Sequence, residues 1–173
     1  MLKAEFKYGI ITGIGISLWI LLEFLLGFHT NNIDMGEYST YFVVLVPLLT
    51  LYLGIKEKRD KWNKGQISFN SGIKTGLMIS LIGTVIIATF LIIYFNYLNP
   101  DYAEWGLAYH KKKMILRGKS SAEIAVEMEK MKSTLGFLNQ FLYGTIGAVG
   151  TGFIISAALS LFMKRTPGEK ISI

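Results

Sequence analysis

Residues 75–100 carry no charge, and three other stretches are nearly as clean: 38–55 and 135–163 have none, and 8–28 has only Glu23. An apolar run of about eighteen residues or more can cross the hydrocarbon core of a bilayer. Backbone amides in hydrocarbon must be bonded within the protein, which leaves only helices and closed barrels. Barrel strands would be shorter and would alternate polar with apolar residues, and these runs do not. The expected fold is therefore all-α, a polytopic integral membrane protein with four transmembrane helices in one bundle. The spans fall at about 8–28, 38–55, 73–97 and 135–163 of a single membrane domain covering 1–173.

The 18 lysines and arginines against 12 acids leave a net charge of +6. The bases gather beside the apolar runs, so the expected partners are the lipid bilayer and its anionic headgroups, with no nucleic acid. The chain has no cysteine, which excludes disulfides, thiol catalysis and iron–sulfur clusters. Lys3 and Lys7 precede the first run as in a signal peptide. That run is about twenty residues long and ends in Leu25-Leu26-Gly27-Phe28-His29 without a small-x-small cleavage site, so an uncleaved span is expected.

A polar link at 29–37 has turn formers at Asn31, Asn32, Asp34 and Gly36 and no base. The loop 56–72 holds Lys56, Lys58, Arg59, Lys61 and Lys64. With Lys3, Lys7, Lys74, Lys164, Arg165 and Lys170, eleven bases fall on one side of the four-span arrangement and seven on the other. The positive-inside rule then makes 56–72 a cytoplasmic loop and 98–134 external, in a multi-pass cell-membrane protein with both termini cytoplasmic. Asn99-Pro100 should stop the third span. Within 98–134, Ser120 and Glu123 form a capping box. Ile124, Met128, Met131 and Leu135 follow at helical spacing, which predicts one or two short amphipathic helices.

Small residues recur every four positions. Gly9, Gly13 and Ser17 open the first span; Gly72, Gly76, Ser80, Thr84 and Ala88 line the third; Gly144, Ala148, Gly152, Ser156 and Ser160 line the fourth. In lipid, such stripes let helix backbones approach closely. Contact inside one bundle is the first expectation, with homo-oligomerisation or a membrane-protein partner as the alternatives. Pro47 removes an amide donor in the second span and should bend it.

Glu23 is the acid set well inside a span, where an ionisable group is expensive and suggests a functional site. His29 lies six residues on, roughly 9 Å along a helix, and would not share its face. Glu23 and His29 are the candidate functional residues. Glu23 either hydrogen-bonds to polar groups of the bundle, snorkels to the interface, or relays protons or cations. His29 and His110 are the only histidines, too few for zinc without clustered carboxylates, so no metal or cofactor is expected. Gly118-Lys119-Ser120 lacks the earlier glycine of a phosphate-binding loop, and no catalytic triad or elbow pattern is present. Tyr109-His110-Lys111-Lys112-Lys113, with Trp105 and Tyr102, reads as an aromatic-basic patch at a headgroup surface.

Lys7-Tyr8-Gly9 opens the first span, and Glu23, Gly27 and His29 stand near its end. Leu53-Gly54-Ile55-Lys56 leads the basic run, and Ser68-Phe69 precedes Lys74-Thr75-Gly76. Together with Asn99-Pro100-Asp101 and a glycine-rich last span, these residues resemble a bacterial membrane family known as domain of unknown function 4199. The resemblance covers nearly the whole chain and implies a four-span fold, without an activity. The expected role is a non-enzymatic accessory or scaffold component acting through helix packing with itself, lipid or another membrane protein. The alternative is a small oligomeric proton- or cation-coupled carrier or channel using Glu23.

Overall fold

The computed structural model describes residues 3–165; Lys170 and the polar tail from Thr166 lie outside them. In chain order the helices are α1 (Lys3–Leu25), α2 (Ile33–Ser39), α3 (Leu45–Glu57), α4 (Phe69–Ile93), α5 (Tyr102–Leu116), α6 (Ser121–Leu135) and α7 (Phe137–Met163). A 3-10 stretch, Thr40–Val44, joins α2 to α3, and π turns at Lys58–Trp62 and Tyr94–Leu98 extend α3 and α4. Four helical stretches are long and apolar enough to cross a bilayer: Lys3–Leu25, Ile33–Trp62, Phe69–Leu98 and Phe137–Met163. The protein is an all-α, polytopic membrane protein.

The helices overrun the hydropathy boundaries. α1 begins at Lys3 rather than near residue 8. α2 occupies much of the expected link at 29–37, and the second span continues through Trp62 into the expected basic loop. The reason is physical: hydropathy marks the length in hydrocarbon, whereas a helix can continue into water on its polar residues. Irregular backbone between the second and third spans is confined to residues 63–68. Ser68 starts α4 as its N-cap, its hydroxyl accepting from Ser71 N at 3.2 Å, which satisfies one of the donors a helix start leaves free.

α4 is the central helix, packed against α1, α3 and α7. Its partners identify the register. A Cβ added at Gly72 would collide with Ser160, one at Gly76 with Ser156, and one at Gly152 with Ser80. Position therefore rises on α4 as it falls on α7, an antiparallel pair in which glycine meets serine three times. On the other side, Gly9 abuts Ile79 and Ile82, and Gly13 abuts Gly83 and Ile86, so α1 runs parallel to α4. The serine hydroxyls do not bridge the helices. Ser80 donates to Gly76 O at 2.9 Å and Ser156 to Gly152 O at 2.5 Å, each within its own helix. Close backbone packing therefore joins α4 to α7.

One end of the bundle carries Lys3, Lys7, Lys56, Lys58 and Arg59 and is here the basic end. It is closed by Ala4, Tyr8, Leu51 and Ile79, and by Ile55, Ile67 and Met163. Ile67 and Arg165 exchange backbone bonds of 3.1 and 2.8 Å across it. Glu5, buried at 3% exposure, is paired with Lys58 at 2.9 Å. Glu57 accepts from Lys7 at 2.8 Å and from Tyr8 at 2.9 Å.

At the opposite end, α5 and α6 pack together; α6 is the amphipathic helix, whereas the apolar residues of α5 are spread around it. The Ser120–Glu123 capping box is present. Ile124, Met128, Met131 and Leu135 are half-buried among exposed neighbours, and Leu135 packs against Gly106 of α5. The aromatic-basic run at 109–113 is only partly a solvent face. Tyr109 donates to Asp34 at 2.7 Å, and Lys113 bonds Glu37 at 2.7 and 2.9 Å while lying over the Tyr109 ring. These contacts tie α5 to α2, and the Glu37 carboxylate pushes the Lys113 amine up to about 12. Lys111 and Lys112 remain exposed.

Candidate functional site

Glu23 sits in the last turns of α1, and the way that helix ends decides what it meets. Gly27 adopts φ +77°, the left-handed region that glycine enters without a Cβ clash. Phe28 N then donates to Glu23 O at 2.9 Å and Gly27 N to Phe24 O at 2.9 Å, the paired bonds of a Schellman ending. The chain folds back on itself, and His29 Nε2 comes to 3.5 Å from Glu23 Oε2. The expectation that His29 lies on another face is thereby corrected. It assumed a continuing helix, whereas α1 stops at Leu25.

Glu23 is 5% exposed. Its Oε1 accepts from Trp19 Nε1, one turn earlier, at 2.9 Å, and from the Ser39 hydroxyl across the α1–α2 turn. His29 Nδ1 meets Tyr94 Oη at 2.6 Å, and Asn99 Nδ2 donates to the same oxygen at 2.9 Å. Tyr94 has one proton to give. With Asn99 donating to it, the arrangement that satisfies all groups has Tyr94 donating to Nδ1 and leaves the His29 proton on Nε2, facing Glu23. The π turn Tyr94–Leu98 puts Tyr94 and Asn99 together, since Asn99 N bonds Tyr94 O at 2.8 Å across the widened turn. Such π turns are frequent at functional sites.

Glu23, His29 and Tyr94 border a cavity of about 690 Å³. Its walls are apolar, including Ile16, Ile20, Ile87 and Leu91, and the Glu23–His29 pair marks its polar end with Tyr94 and Tyr102. Far along it, Thr12, Ser80 and Thr84 supply hydroxyls; the buried Thr84 Oγ1 has no hydrogen-bond partner among the described residues. The cavity opens between the second and fourth spans. Tyr41, Val44, Tyr143 and Gly147 border it and are exposed, and a Cβ at Gly147 would meet nothing within 4 Å. A second cavity of about 180 Å³ lies toward α5 and contains Glu37 and His110. His29, Thr40 and Tyr102 border both cavities and form the partition. Burial pushes the His110 imidazole below its usual range.

The small-residue stripes divide between two roles. Gly9, Gly13, Gly72, Gly76, Ser80, Gly152 and Ser156 lie in close helix contact, and Ser17 is buried with its hydroxyl on Gly13 O at 2.8 Å. Gly144 and Ala148 border the cavity, as Ser80 also does, and Gly144 lies close to Leu91 of α4 as well. No group of three or more His, Asp or Glu stands close enough to hold a metal among the described residues.

The family described as Protein of unknown function (DUF4199) matches residues 7–165. The chain belongs to this family. No curated protein and no solved structure matches it. The matched stretch of this DUF4199 protein holds Glu23, Gly27, His29, Tyr94 and Asn99, so the whole cluster lies inside the family's domain. Sequence reasoning missed Trp19, Ser39, Tyr94, Asn99 and Tyr102. Trp19 had a signal, the i,i+4 spacing to Glu23, and Gly27 carried the helix-stop signal. Ser39 and Tyr94 carried none, because they reach the site from other helices.

Proposed function

We propose that this DUF4199 protein is a non-enzymatic accessory protein of the membrane that holds a lipophilic molecule in the cavity between its second and fourth spans. The cavity carries this reading: about 690 Å³, mostly apolar walls, a side open toward the surrounding bilayer and the Glu23–His29 pair at one end. Small-molecule sites typically occupy about 300–1,000 Å³ with a few convergent polar groups. Scaffolding through the stripes is less favoured, because Gly72, Gly76 and Gly152 already face serines inside the bundle and are spent there. The excess of bases at the basic end supports a cell-membrane protein with that end in the cytoplasm. Reporters at residues 63–66 and near Ser120 should then read cytoplasmic and external; the reverse would invert the assignment.

The functional test uses Gly147→Trp, placed where a side chain meets open space. In mild detergent the parent should take up a long-chain alcohol. The variant should keep the parent's unfolding temperature and lose most of that uptake. Equal uptake by both would refute the cavity as the binding site.

A second reading, a small proton- or cation-coupled carrier, is favoured by the hydrogen-bonded series Asn99–Tyr94–His29, whose imidazole stands 3.5 Å from Glu23 at the partition between the two cavities. The packed basic half counts against it, since this conformation offers no through path. A folded Glu23→Gln protein that lost transport in proteoliposomes would promote the carrier.

A further inference from the structure

We infer that the molecule held in this cavity is a lipophilic amine whose ammonium head binds at Glu23, an inference that rests on the cavity reading above. The residues lining the cavity include one acid, Glu23, one imidazole, and no lysine or arginine. A phosphate, sulfate or carboxylate head would face a carboxylate with no cation to offset it. A neutral head would gain a hydrogen bond but no charge attraction. An ammonium gains both.

The geometry at Glu23 leaves room for such a donor. Oε1 is taken by Trp19 and Ser39. Oε2 faces His29 Nε2 at 3.5 Å, beyond the roughly 2.7–3.2 Å of an ordinary N–H···O bond. Glu23 also borders the cavity, so an ammonium N–H that reaches Oε2 from the cavity side completes its coordination without displacing Trp19 or Ser39.

Aromatic rings surround the same end. Tyr94, Phe95 and Tyr102 all border it and touch one another, Phe95 to Tyr102 at 5.2 Å and Tyr94 to Tyr102 at 6.4 Å between ring centres. A cation near such rings is attracted by their quadrupoles, most strongly where water is excluded. From Glu23 the wall descends past Ile20 and Ile16 to Thr12. At a rise of 1.5 Å per residue that is about 16 Å along α1, room for an extended dodecyl chain.

The experiment follows Trp19, which is bonded to Glu23, by fluorescence of the full chain in mild detergent with Trp62→Phe and Trp105→Phe introduced to silence the other tryptophans. Dodecylamine, dodecanol and dodecyl sulfate are titrated separately. Dodecylamine should shift the Trp19 emission at about one-tenth the concentration dodecanol needs, a preference of about 1.4 kcal/mol, and dodecyl sulfate should be weakest. Glu23→Gln should bring the amine and the alcohol to parity. Should Glu23→Gln fail to fold, the comparison of the three heads on the parent still decides. Equal binding of amine and alcohol by the parent would overturn the amine inference and leave the cavity reading standing. Preference for the sulfate would overturn the inference as well. Binding of none of the three, with Gly147→Trp indistinguishable from the parent, would overturn the cavity reading itself.

Discussion

Toward the basic end, α1, α3, α4 and α7 close until Leu51, Ile55, Ile79, Ser156 and Ser160 are fully buried; toward the His29 end the same four spans part around a cavity of about 690 Å³. Both halves use the same stripe residues, since the four-residue rhythm of small side chains on α7 continues from Ser160 to Gly144. The difference lies in what fills the other side. In the closed half, Gly72 and Gly76 receive serines and Gly152 receives Ser80, so backbones touch. In the open half, the second span passes through a 3-10 stretch, Thr40–Val44, just before Pro47. Proline has no N–H to return to the preceding turn, and a tightened turn there is an expected accommodation. Small residues therefore permit close approach without compelling it, and where α3 turns away from α7 they become the floor of a pocket.

The largest effect should come from forcing the closed half to resemble the open one. Gly76→Leu places a side chain against Ser156 and should cost about 3 kcal/mol, the upper part of the usual overpacking penalty, seen as a large fall in detergent unfolding temperature. Gly147→Leu, on the open face of α7, should change that temperature little. Equal effects would erase the distinction between the halves.

Next come changes at the polar end. Glu23→Leu strips the acceptor from Trp19, Ser39 and His29 and should cost about 2 kcal/mol, the desolvation of donors left unpaired. Glu23→Gln retains an acceptor and should cost less, by the same thermal measurement. A Glu23→Leu protein as stable as the parent would mean that the donors find water instead. Tyr94→Phe removes only the hydroxyl between Asn99 and His29 and should cost about 1 kcal/mol. Losing the Trp19 response to cavity ligands in Tyr94→Phe would further show that the hydroxyl orients His29 against Glu23.

The smallest effect concerns the clamp between α5 and α2. The hydrogen bond to Glu37 raises the Lys113 amine in the folded protein from its ordinary 10.5 to about 12. A group raised on folding contributes its stability below the unfolded value and loses it as pH rises through the folded one. The clamp should therefore hold below about pH 10.5 and release toward pH 12, a step that Trp105 emission should report and that Lys113→Met should abolish. Lys113 is solvent-exposed at its charge, so the stability at stake is small.

Much of the architecture was legible because its signals are local. Charge-free runs identify spans, because each residue meets hydrocarbon whatever its distant neighbours are. Ser120 with Glu123 identifies a cap, because the partners are three residues apart. Helix ends were less legible: Lys3, Ile33 and Trp62 belong to helices that outrun their apolar cores. The glycine–serine stripes announced close packing, though not which helix would receive which stripe.

The candidate site divides along the same line. Glu23 could be singled out from its own run, because a lone acid in hydrocarbon is costly wherever the other helices lie. Its meeting with His29 depended on the left-handed turn at Gly27, a local event whose outcome in space is still three-dimensional. Tyr94 and Asn99 come from the end of the third span, Ser39 from the second, and the aromatic wall from a π turn and α5. By itself, the sequence determined that the chain would form four membrane helices with an acid near one end, since burial in lipid and helix capping act residue by residue. Only the tertiary structure decided that this acid would face an imidazole and an open cavity. The parting of α3 from α7 and the register of α1 on α4 are set by packing between residues far apart in the chain, and a cavity exists only where all four helices are placed at once.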